Sequence, residues 1–129
     1  MRKWVWIERS VILAAHEEQV AEHGGSPGIR DPGLLDSALA RPLNRAVYGK
    51  PDAAELAAAY AYALAADHPF VDGNKRIAFL ALELFLALNG YQLAAGDADC
   101  VMCLLAVAGG TMKEEAFADW IRRHIRPKR

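Results

Sequence analysis

Two apolar runs of helical period, Asp52 to Asp67 and Ile77 to Leu88, meet across the nonapeptide His68-Pro69-Phe70-Val71-Asp72-Gly73-Asn74-Lys75-Arg76. The first run is alanine-rich and carries Leu56, Ala59, Tyr60, Ala63 and Leu64 on one face. The second has Ile77, Leu80, Ala81, Leu84, Phe85 and Leu88 on one face and Phe79, Leu82 and Leu86 on the other. A helix apolar on both sides belongs in an interior, so this fourth helix is expected to be the central one. Pro69 biases His68 out of helical geometry and so ends the earlier helix, while Gly90 stops the later one. The chain must therefore bury two consecutive helices while leaving a polar loop between them.

With 129 residues there is material for one core, and the chain is read as a single domain over residues 1–129. Its six prolines and ten glycines fall mostly between apolar runs, and 53% of residues are hydrophobic, which predicts an all-α fold, a compact helical bundle. Ile7, Val11, Ala14 and Ala15 recur at helical spacing up to Gly24-Gly25-Ser26-Pro27-Gly28, a first helix and its exit loop. Asp31-Pro32 reads as a capping residue and first helical position, and Pro42 restricts this second helix to a short one. Leu43 to Lys50 lacks clear helical period and ends in the turn Tyr48-Gly49-Lys50-Pro51; it is read as a short flap before the third helix, beside a site. Asp97 or Asp99 starts a helix reaching Gly109-Gly110, and Thr111-Met112-Lys113-Glu114 reads as a capping box opening the last helix around Phe117, Trp120 and Ile121.

A formal net charge of −1 gives no field for tight, sequence-independent binding of nucleic acid or an anionic membrane. The basic segment Arg122 to Arg129 reads as a solvated helix end whose cations complement the dipole. Cys100 and Cys103 form a C-x-x-C without a second pair or a histidine at finger-like spacing, so they are read as buried, reduced thiols. Val11 to Ala15 is too short for a signal-peptide core or a membrane span, and a cytoplasmic protein is expected.

Function is concentrated in the nonapeptide. The first N–H groups of a helix lack intrahelical partners and point, with the positive dipole end, at whatever precedes them, so Gly73-Asn74 at the start of a long helix is a place for an anion. Gly73 permits positive φ and close approach of a phosphate, and on this reading Gly73→Val fills the space that the phosphate needs. Asn74 caps the helix or orients the loop. Lys75 and Arg76 stand in the first helical turn, against the dipole, an arrangement that a bound polyphosphate makes favourable. Asp72 is a hard oxygen ligand suited to Mg²⁺ shared with substrate phosphates. His68 is placed to take a proton from an attacking hydroxyl, against the alternative of a structural histidine bonded to a free carbonyl at a helix end. The bland reading of the whole is a capped turn with solvated cations. Histidine, carboxylate, glycine, amide and two cations within nine residues favour the chemical one.

The stretch His68 to Arg76, in the form H-P-F-x-D-G-N-K-R, resembles the Fic superfamily signature and specifically the death-on-curing (Doc) branch, toxins of bacterial and phage toxin–antitoxin modules. The likeness extends to Gly28 through Pro42 and to Phe85-Leu86-Ala87-Leu88-Asn89-Gly90-Tyr91. The resemblance implies a single helical Fic/Doc domain. In it His68 would be the base, Asp72 the Mg²⁺ ligand, and Gly73, Asn74, Lys75 and Arg76 the binders of ATP phosphates, with Lys75 and Arg76 also assisting transfer. It would make Leu43 to Pro51 the flap that aligns a target segment by strand-like pairing. Fic members that transfer AMP read G-N-G-R-x-x-R, whereas here Lys75 holds the second glycine position and Phe79 the final arginine position. That departure implies transfer of the γ-phosphate instead, and the resemblance to the Doc branch implies a Ser/Thr hydroxyl of elongation factor Tu as the target, with translation arrest. The alternatives are AMP transfer by the same site, or a non-catalytic module whose basic C-terminus contacts nucleic acid. An inhibitory S/T-x-x-x-E-G/N helix has no match, Thr111 to Glu115 being broken by Ala116. Control is therefore expected from a separate antitoxin of prevents-host-death type.

Overall fold

In the computed structural model, which describes residues 3–128, the chain order is α1 (Arg9–His23), α2 (Pro32–Tyr48), α3 (Ala53–Asp67), α4 (Asn74–Leu88), β1 (Tyr91–Leu93), α5 (Asp97–Ala108), α6 (Glu114–His124) and β2 (Ile125–Pro127). The all-α reading holds, with one short antiparallel pairing, β1 with β2, in the register Tyr91 to Pro127 and Leu93 to Ile125. The basic C-terminal segment is the end of α6 through Arg122, Arg123 and His124, as anticipated, and then strand over Ile125–Pro127, while Arg129 lies outside the described residues.

The helix at the centre is α3 and not α4. Eleven of the fifteen residues of α3 are buried, seven of α4. Alanine decides this: a methyl side chain on every side lets α2, α4, α5 and α6 all approach α3, whereas the bulkier α4 fills the interior from one side with Ile77, Leu82 and Phe85. Glu83, unexplained within that apolar run, is exposed. On α1 the buried positions are Ile12 and His16, while Val11 of the anticipated stripe is exposed. Asn89 ends α4 by tying both backbone groups of Val5 and the carbonyl of Phe85 to its side chain.

The second helix is long. Asp31 caps it by accepting from the Leu34 N–H at 3.0 Å, but Pro42 lies inside it, buried, and residues 43–48 continue as helix. A proline there removes one intrahelical hydrogen bond and costs about 3 kcal/mol. Arg41 and Arg45, on either side of it, both reach Glu114 of α6, which holds the following turn in place. The anticipated capping box is replaced by the same interaction. Lys113 is the N-cap of α6, Thr111 bonds back to the Ala106 carbonyl, and Glu114 turns inward to the arginines.

The flap assignment fails with the short helix. Residues 49–52 lie at the opposite end of α3 from His68, about 22 Å away along a fifteen-residue helix. The segment that does lie against the nonapeptide is the exit loop of α1. Arg30 and Asp31 N–H donate to the Pro69 carbonyl at 2.8 and 3.0 Å, Val71 N–H donates to the Gly28 carbonyl at 3.1 Å, and Ile29 forms an isolated bridge with Phe70.

Candidate active site

His68 is the C-cap of α3 at φ 50°, the one non-glycine residue with positive φ among the described residues. Pro69 excludes the right-handed helical region for the residue before it, and the loop then leaves in a left-handed turn. Arg30 stabilises this turn, its Nε donating to the His68 carbonyl at 2.6 Å and its second guanidinium nitrogen to the Asp67 carbonyl at 2.8 Å. The arginine thus supplies the positive charge that the carbonyl end of α3 attracts. The His68 imidazole makes no hydrogen bond or ion pair among the described residues and is half-buried, unlike a structural histidine bonded to a free carbonyl.

From His68 the chain plunges into the core and returns. Pro69 and Phe70 are buried, and Asn74 holds Phe70 by accepting from its N–H at 2.9 Å and donating to its carbonyl at 3.0 Å. Of the two roles open to Asn74, the structure selects loop orientation. Its side chain is committed to Phe70. Gly73 is the N-cap of α4 at φ 78°, where no side chain caps the helix.

Asp72 is exposed beside this helix entrance. Its carboxylate accepts from the Gly73 N–H at 2.8 Å and from the Ser26 N–H at 3.3 Å, and these two donors, in that order, hold its pKa below the usual carboxylate value. An exposed, ionised, singly placed carboxylate fits Mg²⁺, which takes one or two carboxylates and completes its shell with phosphate oxygens and water. It does not fit a metal held by protein alone, since no cluster of three or more His, Cys, Asp or Glu occurs among the described residues.

Asp72, Gly73, Asn74, Lys75, Arg76 and Phe79 line a cleft of about 290 Å³, closed on its far side by Val101, Leu104 and Leu105 of α5. Lys75 and Arg76 are exposed and form no salt bridge among the described residues. His68 is not part of this wall. A larger cavity of about 650 Å³, between the end of α2 and the start of α3, contains none of the nine loop residues. The helix entrance and its charges lie at the smaller cleft.

Three contributors were hidden from sequence reasoning. His16 is 2% exposed, stacks on Phe70 with ring centroids 3.8 Å apart, and reaches the Asp72 carbonyl with Nε2 at 2.7 Å. Gln19 donates to the Arg76 carbonyl at 3.4 Å, and Arg30 clasps the end of α3. The only signal for His16 was its position one helical turn after Ile12, on a stripe assigned instead through Val11. Cys100 and Cys103 are free, buried thiols, and burial pushes Cys100 up to about 12, so neither is a nucleophile for this site.

Residues 6–86 match the Fic/DOC family, a span running from just before α1 to the last turn of α4 and containing every residue of the candidate site except the α5 wall. The chain is 33% identical over 113 residues to "Protein kinase doc" of Escherichia phage P1, covering 87% of this chain and 89% of that protein. It is 51% identical over 93 residues to "Toxin Doc" of Mycolicibacterium smegmatis, covering 70% of this chain and 68% of that one.

Proposed function

This chain belongs to the Fic/DOC family, and from that premise we propose that it is the toxin of a type II toxin–antitoxin module, transferring the γ-phosphate of ATP to a Ser/Thr hydroxyl of elongation factor Tu and so arresting translation. The observation that carries the reading is the free imidazole of His68, held in a left-handed turn by Arg30 at one end of a loop. At the other end an ionised Asp72 and the exposed Lys75 and Arg76, which form no salt bridge among the described residues, surround the entrance of α4.

In this reading the target hydroxyl attacks the γ-phosphorus as its proton passes to His68, the bond from that phosphorus to the β–γ bridging oxygen breaks, and ADP leaves. Such a transition state asks mainly for position and charge neutralisation. Lys75, Arg76 and the N–H groups at the start of α4 supply the second, and Asp72 would hold a Mg²⁺ ion that would add positive charge against the phosphates. Phe79 presents an apolar ring to the cleft where AMP-transferring relatives carry an arginine, so the second phosphate clamp of those enzymes is missing. This supports phosphate rather than AMP transfer. The "kinase" and "toxin" in the names of the two relatives agree with it, and an antitoxin partner follows from the toxin reading.

The test is the fate of labelled ATP. Incubated with elongation factor Tu and Mg²⁺, the chain should move the γ label to protein and not the α label, and His68→Ala should lower transfer by about 10² or more, the usual worth of a positioned base. Transfer of only the α label would establish AMP transfer instead. Transfer of neither, with unchanged cellular toxicity of His68→Ala, would establish a non-catalytic role.

A further inference from the structure

His16 is a buried titratable group with no part in the chemistry just described, yet it touches the loop that performs it. A carbonyl oxygen can only accept, so the 2.7 Å contact with Asp72 requires that Nε2 of His16 carry a proton and donate it. A trans peptide is planar, with its C=O and N–H pointing in opposite directions. Turning the Asp72 carbonyl towards α1 therefore turns the Gly73 N–H away from α1, to the side where the Asp72 carboxylate now accepts it at 2.8 Å. Without a side chain at Gly73, little local sterics resists rotation of this peptide plane. Gln19, three residues further on the same face of α1, holds the Arg76 carbonyl, so α1 grips the phosphate loop at both ends.

We infer that His16 is a positioning residue that aims the Gly73 N–H at the anion side of the α4 entrance, and that nucleotide affinity depends on its Nε2 proton rather than on its bulk. The inference rests on the nucleotide reading above.

Glutamine separates the two contributions, because its Nε2 stands the same number of bonds from Cα as that of histidine. His16→Gln and His16→Leu both lose the ring that stacks on Phe70, while only the first keeps a donor near the Asp72 carbonyl. Calorimetric titration of the full chain with Mg·ATP should place His16→Gln within about threefold of wild type and His16→Leu about tenfold or more weaker, the effect of one buried hydrogen bond. The thermal midpoints of the two variants, read by circular dichroism, should instead fall together. If His16→Leu does not fold, His16→Asn takes its place, since its amide ends one bond short of the carbonyl. Equal affinity of the donor and non-donor variants would overturn the role of His16 alone. A wild-type chain that fails to bind Mg·ATP would overturn the nucleotide reading, and this inference with it.

Discussion

At Gly73 the reason for glycine differs from the one that phosphate chemistry suggests. A Cβ built there would stand 3.6 Å from Nε2 of His16, an ordinary contact. What glycine provides there without strain is the left-handed φ of 78°. Gly73→Ala should then cost about 1–2 kcal/mol in a urea titration through backbone strain alone. It should also weaken Mg·ATP binding most of the way that Gly73→Val does; an alanine variant as stable and as tight-binding as wild type would restore the space-filling explanation. His68, Asp72, Gly73, Lys75 and Arg76 could be proposed from the sequence because the chemistry proposed for them is carried by residue type and by adjacency along the chain. Arg30 and His16 could not, since what they bind are backbone carbonyls, and a carbonyl leaves no mark in a sequence.

Among the elements, those with a strong apolar period or a clear breaker were legible: α3, α4 and α5 begin and end within a residue or two of their sequence signals. The failures lie where a tertiary contact outweighed a local preference, as in the turn of α2 after Pro42. The junction of α3 with α6 is another such contact. Asp52 caps α3 by accepting from the Glu55 N–H and also pairs with Arg122 of α6, whose guanidinium reaches Asp119 as well. The Arg122 hydrogen bond, ahead of the cap, lowers the Asp52 pKa from its ordinary 3.8. Because the folded value lies below the unfolded one, the pairing stabilises fully above pH 3.8 and its contribution disappears as pH falls through the folded value. Asn caps as well as Asp, so Asp52→Asn removes the ion pair and keeps the cap. The variant should melt below wild type at neutral pH, by the modest amount expected of a half-exposed network, about 1 kcal/mol or less. That gap should narrow as melting is measured at pH values below 3.8, whereas a gap constant with pH would show that the charge of Asp52 contributes nothing.

For the whole molecule, the contact between Glu114 and the pair Arg41 and Arg45 joins α2 to α6 across the end of α3. Its members are unequal: the Glu114 side chain is 9% exposed, those of Arg41 and Arg45 43% and 39%. Replacing both arginines by alanine strands a carboxylate away from water and should cost about 3–5 kcal/mol. Glu114→Ala leaves two guanidinium groups that water can reach and should cost less in the same denaturant titration. The reverse order would show that the arginines, and not the carboxylate, are the group that cannot be left alone. No helix among the described residues is long and apolar enough to cross a membrane. By itself the sequence determined the helical class, the most apolar helices and the nine-residue loop proposed here as the site, because period, breakers and residue type act over one or two turns of chain. Only the tertiary structure decided that α3 is the axis, that α2 runs through its proline, and that the loop of residues 24–31, not residues 43–51, lies against the nonapeptide. It also decided that a histidine 56 residues away in the chain sets the direction of the Asp72 carbonyl. These outcomes depend on which surfaces meet once every helix has buried its apolar side, and that competition is settled only when all the helices are packed together.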